Sequence, residues 1–569
     1  MINKQYELWC QKATKDTDLI KELESIKGNP ELISDAFYKN LEFGTAGLRG
    51  VIGAGTNRMN IYTVGQASQG LAAYVNSVTK NGSIAIAYDS RIKSDLFAKT
   101  AACVFAANGI KVYLYKELMP TPMLSFAVRH LKCDAGVVVT ASHNPAKYNG
   151  YKAYGPDGSQ LGPKEADFVL AIMESVDIFT GVKYADFDEA VKSGIIEYIG
   201  EDVIEAYLNC VEAQRVEKNA DLSALKVVYT PLNGAGNKPV REILKRIGIT
   251  NVSVVPEQEL PDGNFPTAPY PNPEIRQAFE CALKLAETEN PDILLATDPD
   301  SDRVGIAVNL GGEYKLFSGN DVGVLLMNYI LTRRKANGTL PENPLAVKTI
   351  VSTELCQKIA DKYGCTLVNV LTGFKFIGEQ ITILAEKGEP ERYILGFEES
   401  YGYLAGDYAR DKDAVVASML ICEMTAYYKS IGLTLGDVLD SIYKEFGFYY
   451  AAQKSFTCEG QSGMQKIKEI MDNLRTNPPK EILGSRVVKI NDYGESVSIN
   501  TANGEKQILT LPKSNVLCYF MENESSFIVR PSGTEPKIKI YVCAVGNSDS
   551  DANEKREALI NAGTDILGF

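Results

Sequence analysis

The chain has 569 residues, 45% of them hydrophobic and 23% charged, and its 72 acidic against 59 basic side chains give a formal charge of −13. That length is more than one core supports and implies about three to five domains, while the acidity argues against a nucleic-acid partner and for solubility. The 11 cysteines include no CxxC pair and read as reduced thiols, and two histidines, His130 and His143, are too few for a multi-histidine zinc centre.

The start, Met-Ile-Asn-Lys-Gln-Tyr-Glu-Leu-Trp-Cys-Gln-Lys, has no apolar h-region, and no apolar run reaches membrane-spanning length. A cytoplasmic protein with no secretory signal and no membrane partner is expected.

Taken in chain order, one alternation of elements recurs three times. A strand is predicted over Ile84–Tyr88, a helix over Asp95–Asn108, a strand over Val112–Tyr115, a helix over Pro122–Leu131 and a strand over Ala135–Val139. The order returns as strand Lys226–Tyr229, helix Asn237–Arg246, strand Val252–Val255, helix Pro273–Glu289 and strand Asp292–Ala296. It returns again after helix Asn320–Arg333, as strand Val347–Ser352, helix Glu354–Tyr363, strand Thr366–Val370, helix Phe374–Glu386 and strand Tyr393–Gly396. Such alternation implies parallel sheets with right-handed crossovers. Near the end, Pro478-Pro479 and the strand-like runs Arg486–Ile490 and Val516–Met521 indicate a smaller α+β domain. The expected domains are 1–205, 206–318, 319–445 and 446–569.

The third strand of each repeat ends in a polar loop: Thr140-Ala-Ser-His-Asn-Pro, Thr297-Asp-Pro-Asp-Ser-Asp-Arg and Phe397-Glu-Glu-Ser-Tyr-Gly. Ligands of open α/β sheets bind at carboxyl strand ends. Ser142 at such an end suits a covalent acceptor, although Ser-Asn-Pro also makes ordinary turns and caps. No Gly-x-Ser-x-Gly elbow is present, which argues against a lipase-like hydrolase. His143 follows directly, as a partner or as a residue that orders the loop.

Asp298, Asp300 and Asp302 alternate, so in an extended loop their carboxylates face one way and supply hard oxygen ligands suited to magnesium. An EF-hand is excluded, because its glycine and glutamate positions hold Arg303 and Asn309. The Arg530-Pro-Ser-Gly-Thr-Glu-Pro-Lys segment joins a guanidinium, two hydroxyls and a glycine, which suits a phosphate nest as well as a tight turn. Glu398 and Ser400 suit sugar hydroxyls or a surface acidic loop. Arg49 lies in the glycine-rich Gly44-Thr-Ala-Gly-Leu-Arg-Gly. Lys412 lies in Arg410-Asp-Lys-Asp, just ahead of an apolar run that reads as a helix start.

These loops together resemble the α-D-phosphohexomutase family, the phosphoglucomutases and phosphomannomutases, in order and approximate spacing from Gly44 to Lys537. The Gly44 opening and the chain length are most similar to the branch of phosphoglucomutase-2-like enzymes and phosphopentomutases. The resemblance implies three similar mixed or parallel α/β domains and a smaller α+β C-terminal domain around a central cleft. It implies that Ser142 carries a phosphoryl group, and that Ser142, Asp298, Asp300 and Asp302 hold one Mg²⁺. Thr45, Thr372, Gly373, Glu398 and Ser400 would contact the sugar phosphate, and Arg530, Ser532, Gly533 and Thr534 the phosphate not being transferred. Arg49, His143, Lys152 and Arg303 match positions around the reacting group, and Lys412 matches a lysine of longer members. One departure is the pair Tyr401 and Tyr403, where short bacterial members carry a histidine. The acid/base role therefore falls among Lys152, Lys412 and His143, and a catalytic lysine needs its pKa lowered, with Arg303 and Mg²⁺ as the expected neighbours.

The implied reaction interconverts hexose 1-phosphate and 6-phosphate, glucose or mannose, through phosphoserine and a sugar 1,6-bisphosphate that also serves as activator. Alternatives are a phosphopentomutase, a metal-dependent sugar phosphatase and a non-catalytic phosphosugar sensor. The expected partner is a phosphorylated sugar, and the expected state a monomer or weak homodimer.

Overall fold

Apolar strands buried on both faces require cover on both sides, and each of the first two alternations folds into a parallel sheet with helical crossovers and an antiparallel edge. The computed structural model describes residues 2–44, 47–458, 460–532 and 537–569. These fall into two units: Met1–Ser318 with Ile377–Leu395 and Ser400–Thr434, and Gly319–Phe376 with Gly396–Glu399 and Leu435–Phe569.

In the first unit, one sheet runs Gly47–Val51, Tyr148–Tyr154, Ala135–Val139, Ser83–Tyr88, Lys111–Leu114, Ile196–Tyr198. Its first two pairings are antiparallel and the rest parallel. A second sheet repeats the plan: Glu313–Phe317, Val304–Leu310, Ile293–Thr297, Lys226–Thr230, Asn251–Val254, again with two antiparallel pairings followed by parallel ones. Ala135–Val139 and Ile293–Thr297 are buried along their whole length. Both therefore deliver a polar loop from a rigid, fully packed strand.

In the second unit, Leu345–Thr349 pairs in parallel with Thr366–Val370. The C-terminal part is an antiparallel sheet in the order Phe448–Thr457, Lys537–Gly546, Ser526–Pro531, Leu517–Met521, Ser485–Asp492, Val497–Asn500, Lys506–Ile508. Helices Gly460–Thr476 and Asp549–Leu567 contribute Ile467, Met471, Leu474 and Leu559 to its core.

Most predicted strands and helices are present within a few residues. The predicted helix Pro273–Glu289 is shorter: a 3₁₀ turn spans Arg276–Phe279 and the α-helix begins at Glu280. Asn272 accepts the Glu274 N–H at 3.0 Å in an Asx turn, which keeps the proline segment out of the helix. The predicted strand Val347–Ser352 is instead Leu345–Thr349, because Ser352 N–H closes a turn on the Thr349 carbonyl at 3.1 Å. Among the described residues no helix is long and apolar enough to cross a membrane.

Candidate active site

Beyond Val139 the chain turns through Ser142, whose φ of +52° lies in the left-handed region. That conformation costs a residue with a Cβ about 1–2 kcal/mol, so the surroundings must impose it. Thr140 Oγ1 accepts the Ser142 N–H at 2.8 Å. The neighbouring strand packs close at Gly150, where a Cβ would stand 2.4 Å from the Thr140 carbonyl oxygen. Arg91 donates to the Ser142 and Asn144 carbonyls. The hydroxyl that results is 3% exposed as a residue, donates to Asp298 Oδ2 at 2.8 Å and lies 3.1 Å from His143 Nδ1.

Asp298, Asp300 and Asp302 are fully buried, and each offers an oxygen within 4.8 Å of the others. Asp298 Oδ1 accepts the N–H groups of Asp302 and Arg303, which closes the loop. Asp300 Oδ2 accepts Thr121 Oγ1 at 2.9 Å and Lys152 Nζ at 2.8 Å. Lys412 Nζ pairs with Asp302 Oδ2 at 2.7 Å, where Lys152 also approaches to 3.3 Å. Tyr154 OH donates to Asp411 at 2.7 Å, and Asp411 in turn takes the Lys412 ammonium at 3.3 Å. Arg303 bonds Glu274 at 2.7 Å and the Ser400 carbonyl at 3.2 Å.

Burial, and then Asp300 and Asp302, push the Asp298 carboxyl well above the usual carboxylate range. Burial also opposes the Asp300 anion, but Lys152 outweighs it and holds that carboxyl low. Asp300 Oδ1 and Asp302 Oδ1 are buried without a hydrogen-bond partner among the described residues. Two orphaned carboxylate oxygens facing a third carboxylate fit a hard divalent cation.

The second unit holds a different chemistry. Glu398 Oε1 accepts the Gly373 N–H at 2.9 Å, which ties the Thr372-Gly373 turn to the buried Glu398-Glu399 pair. Thr349 Oγ1 donates to Glu399 at 3.0 Å. Arg530 is the last residue but one of the strand Ser526–Pro531, bonds Tyr541 OH at 3.4 Å, and its charge is felt at Glu399. Acceptors for hydroxyl groups and a guanidinium for an anion are thus gathered in one body.

Models of the phosphoglucomutase/phosphomannomutase α/β/α domains I, II and III match residues 40–178, 205–311 and 318–446. The chain belongs to the phosphoglucomutase/phosphomannomutase family. It is similar to a phosphoglucomutase of Staphylococcus saprophyticus, 36% identical with 94% of this chain and 95% of that one covered. A phosphoglucomutase of Staphylococcus aureus (strain bovine RF122) is 38% identical, with 97% and 98% covered. Among solved structures, the open form of the Paramecium exocytosis-sensitive phosphoprotein parafusin, a phosphoglucomutase, has a TM-score of 0.67 at 17% identity, covering 93% of this chain and 95% of that one. At that identity the likeness is one of fold.

For a member of this family, the first unit gathers Ser142, His143, Lys152, Asp298, Asp300, Asp302, Arg303 and Lys412. Arg49, opposite Gly150 in register, joins them through its charge on His143. The second unit contains Thr372, Gly373, Glu398, Arg530 and Ser532: Gly373 meets Glu398, the Arg530 charge reaches Glu399, and the Ser532 N–H donates to the Lys537 carbonyl at 2.8 Å. Ser400 belongs to the first unit although Glu398 belongs to the second. Thr45, Gly533 and Thr534 lie outside the described residues. At Lys152, burial works against the ammonium, but Asp300 and Asp302 prevail and raise its pKa. His143 shifts the other way, as burial, Arg303 and Arg49 hold it neutral well below its ordinary range. Sequence reasoning missed Asp89, Arg91, Thr121, Tyr154, Glu274 and Asp411. The signal for the first two was present, since Asp89-Ser-Arg91 follows the apolar strand Ser83–Tyr88 at its carboxyl end, as the other site loops follow theirs.

Proposed function

We propose that the protein is a hexose phosphate mutase that interconverts glucose 1-phosphate and glucose 6-phosphate, with the mannose phosphates as the epimeric pair. The observation that carries this reading is the Ser142 hydroxyl, held in a strained turn 2.8 Å from one of three buried carboxylates. The names of the curated relatives, both phosphoglucomutases, support it.

In the active form Ser142 Oγ carries a phosphoryl group. Transfer to O6 of the 1-phosphate breaks the Oγ–P bond and forms an O6–P bond, leaving a free serine and the 1,6-bisphosphate. The bisphosphate turns end for end and returns its C1 phosphoryl group to Ser142. Asp298, Asp300 and Asp302, with the phosphorylated serine, would hold one Mg²⁺, which when bound neutralises charge on the transferring group. Arg49 and Arg303 add positive charge beside it. The proton of the attacking hydroxyl passes to a base of the first unit, for which His143, Lys152 and Lys412 stand at the site. Arg530 and Ser532 hold the phosphate that is not transferred, and Glu398 with the Thr372-Gly373 turn reads the sugar hydroxyls.

Ser142→Ala is the direct test. The expected result is loss of isomer interconversion to background, together with loss of the phosphoryl mass that wild type takes up from glucose 1,6-bisphosphate. A panel of glucose, mannose, ribose and deoxyribose 1-phosphates sets the sugar. Undiminished turnover by the alanine variant, or release of inorganic phosphate in place of the isomer, overturns the reading.

A further inference from the structure

Arg91 is 3% exposed and clamps the loop that carries Ser142. Its Nη1 donates to the carbonyls of Pro145 and Tyr148, both at 3.0 Å. Its Nη2 donates to the carbonyls of Ser142 and Asn144. Its Nε faces Asp89 Oδ2 at 3.3 Å. Of the five N–H groups of a guanidinium, the four on Nη1 and Nη2 meet these four carbonyls, while Nε is buried against Asp89 without a hydrogen bond. No Nη N–H remains for a two-pronged grip on a phosphate.

The same groups close a ring around one residue. Ser142 N–H donates to Thr140 Oγ1 at 2.8 Å, and Thr140 Oγ1 donates to Asp89 Oδ2 at 2.7 Å. Asp89 pairs with Arg91, and Arg91 returns to the Ser142 carbonyl. Asp89 Oδ1 is itself fixed by the Arg91 N–H and by Ser94 Oγ at 2.8 Å. The Phe265 ring lies 5.1 Å from the guanidinium carbon. The segment before it presses on the same turn, since a Cβ at Gly263 would stand 2.5 Å from the Ile92 nitrogen. Both backbone polar groups of Ser142 are thus tied to one buried ion pair, at the residue whose left-handed backbone needs outside support.

We propose that Arg91, with Asp89, is a positioning residue for phosphoryl transfer. It fixes the Ser142 backbone so that Oγ meets Asp298, and it does not bind the phosphate. This rests on the mutase reading. A misaimed nucleophile loses rate rather than affinity, because Arg530, Glu398 and the Thr372-Gly373 turn, which would bind substrate, lie in the second unit.

The test compares wild type, Arg91→Ala, Arg91→Lys and Thr140→Val. Arg91→Ala is expected to lower kcat about 100-fold while KM for glucose 1-phosphate stays within about threefold. Added guanidinium ion is expected to recover part of kcat. Arg91→Lys, which keeps the charge but not the fork, is expected to recover little. In the substrate-free protein, amide exchange across residues 140–149 is expected to quicken in Arg91→Ala, a readout that needs no turnover. Thr140→Val breaks the ring on the amide side and is expected to show the same split at smaller size, so the idea stands or falls even where Arg91→Ala does not fold. A KM raised about tenfold or more with kcat retained would make Arg91 a phosphate ligand and overturn the proposal. Unchanged kcat and unchanged exchange would overturn it as well. A wild type with no mutase turnover sinks the mutase reading instead, and the exchange comparison still decides whether Arg91 holds the loop.

Discussion

Glu399 sits buried beside Glu398, and burial first, then that neighbour's charge, raises its pKa from 4.5 to about 7. A carboxyl whose folded value is raised binds its proton more tightly in the folded chain. The stability it contributes is complete below the unfolded value of 4.5 and is lost as pH rises through about 7. Glu399→Gln keeps the shape without the charge. It is expected to melt with wild type at pH 4 and above it at pH 8, by about 1 °C for each kcal/mol recovered in a chain of 569 residues. Equal melting at both pH values would clear Glu399 of the effect. The residues legible in the sequence were those with chemistry in their side chains, such as Ser142 and the three aspartates. Those that aim them were not, because Tyr154 and Thr121 find Asp411 and Asp300 only after distant strands and helices meet.

At the scale of elements, the helix Ala414–Ser430 shows two readings of one segment to be compatible. The charged run Arg410-Asp-Lys-Asp reads equally as a helix start and as the seat of a working lysine. Asp413 does cap the helix, accepting the N–H groups of Val415 and Val416 and the hydroxyls of Tyr207 and Tyr408. Lys412, one residue earlier, meets Asp302. Asp413→Ala removes the cap, worth about 1 kcal/mol, and strands two buried hydroxyls at about 1–3 kcal/mol each. A clear fall in Tm and in the urea midpoint is expected, and Asp413→Asn, which keeps the cap acceptor, is expected to lose less. Parity between the alanine variant and wild type would show that the cap carries no weight. The alternation of parallel strands and helices was readable because its central strands, such as Ala135–Val139 and Ile293–Thr297, are apolar nearly throughout and buried along their whole length. The antiparallel strand Tyr148–Tyr154, which supplies Lys152, was not, since Tyr-Asn-Gly-Tyr-Lys-Ala-Tyr mixes turn residues with aromatics. Its burial comes from neighbours on both sides rather than from a pattern of its own.

Across the whole molecule, the proposed labour divides by unit. All three candidate metal ligands and Ser142 belong to the first unit, whereas Arg530, Glu398 and the Thr372-Gly373 turn belong to the second. In a protein of net charge −13, a phosphorylated sugar must be held by locally concentrated cations, and Arg530 is the one described at the end of Ser526–Pro531. Losing a charge-assisted hydrogen bond costs about 1.5–3 kcal/mol. Arg530→Gln is therefore expected to raise KM for glucose 1-phosphate about tenfold or more. Cation binding to the folded protein raises Tm by mass action, and that Mg²⁺-dependent rise is expected to survive Arg530→Gln untouched. Asp300→Asn is expected to abolish the same rise, because it neutralises one of three converging carboxylates. Melting curves with and without Mg²⁺, set beside KM, check both halves at once. If Arg530→Gln weakened the Mg²⁺ response as much as Asp300→Asn does, the division between units would be refuted.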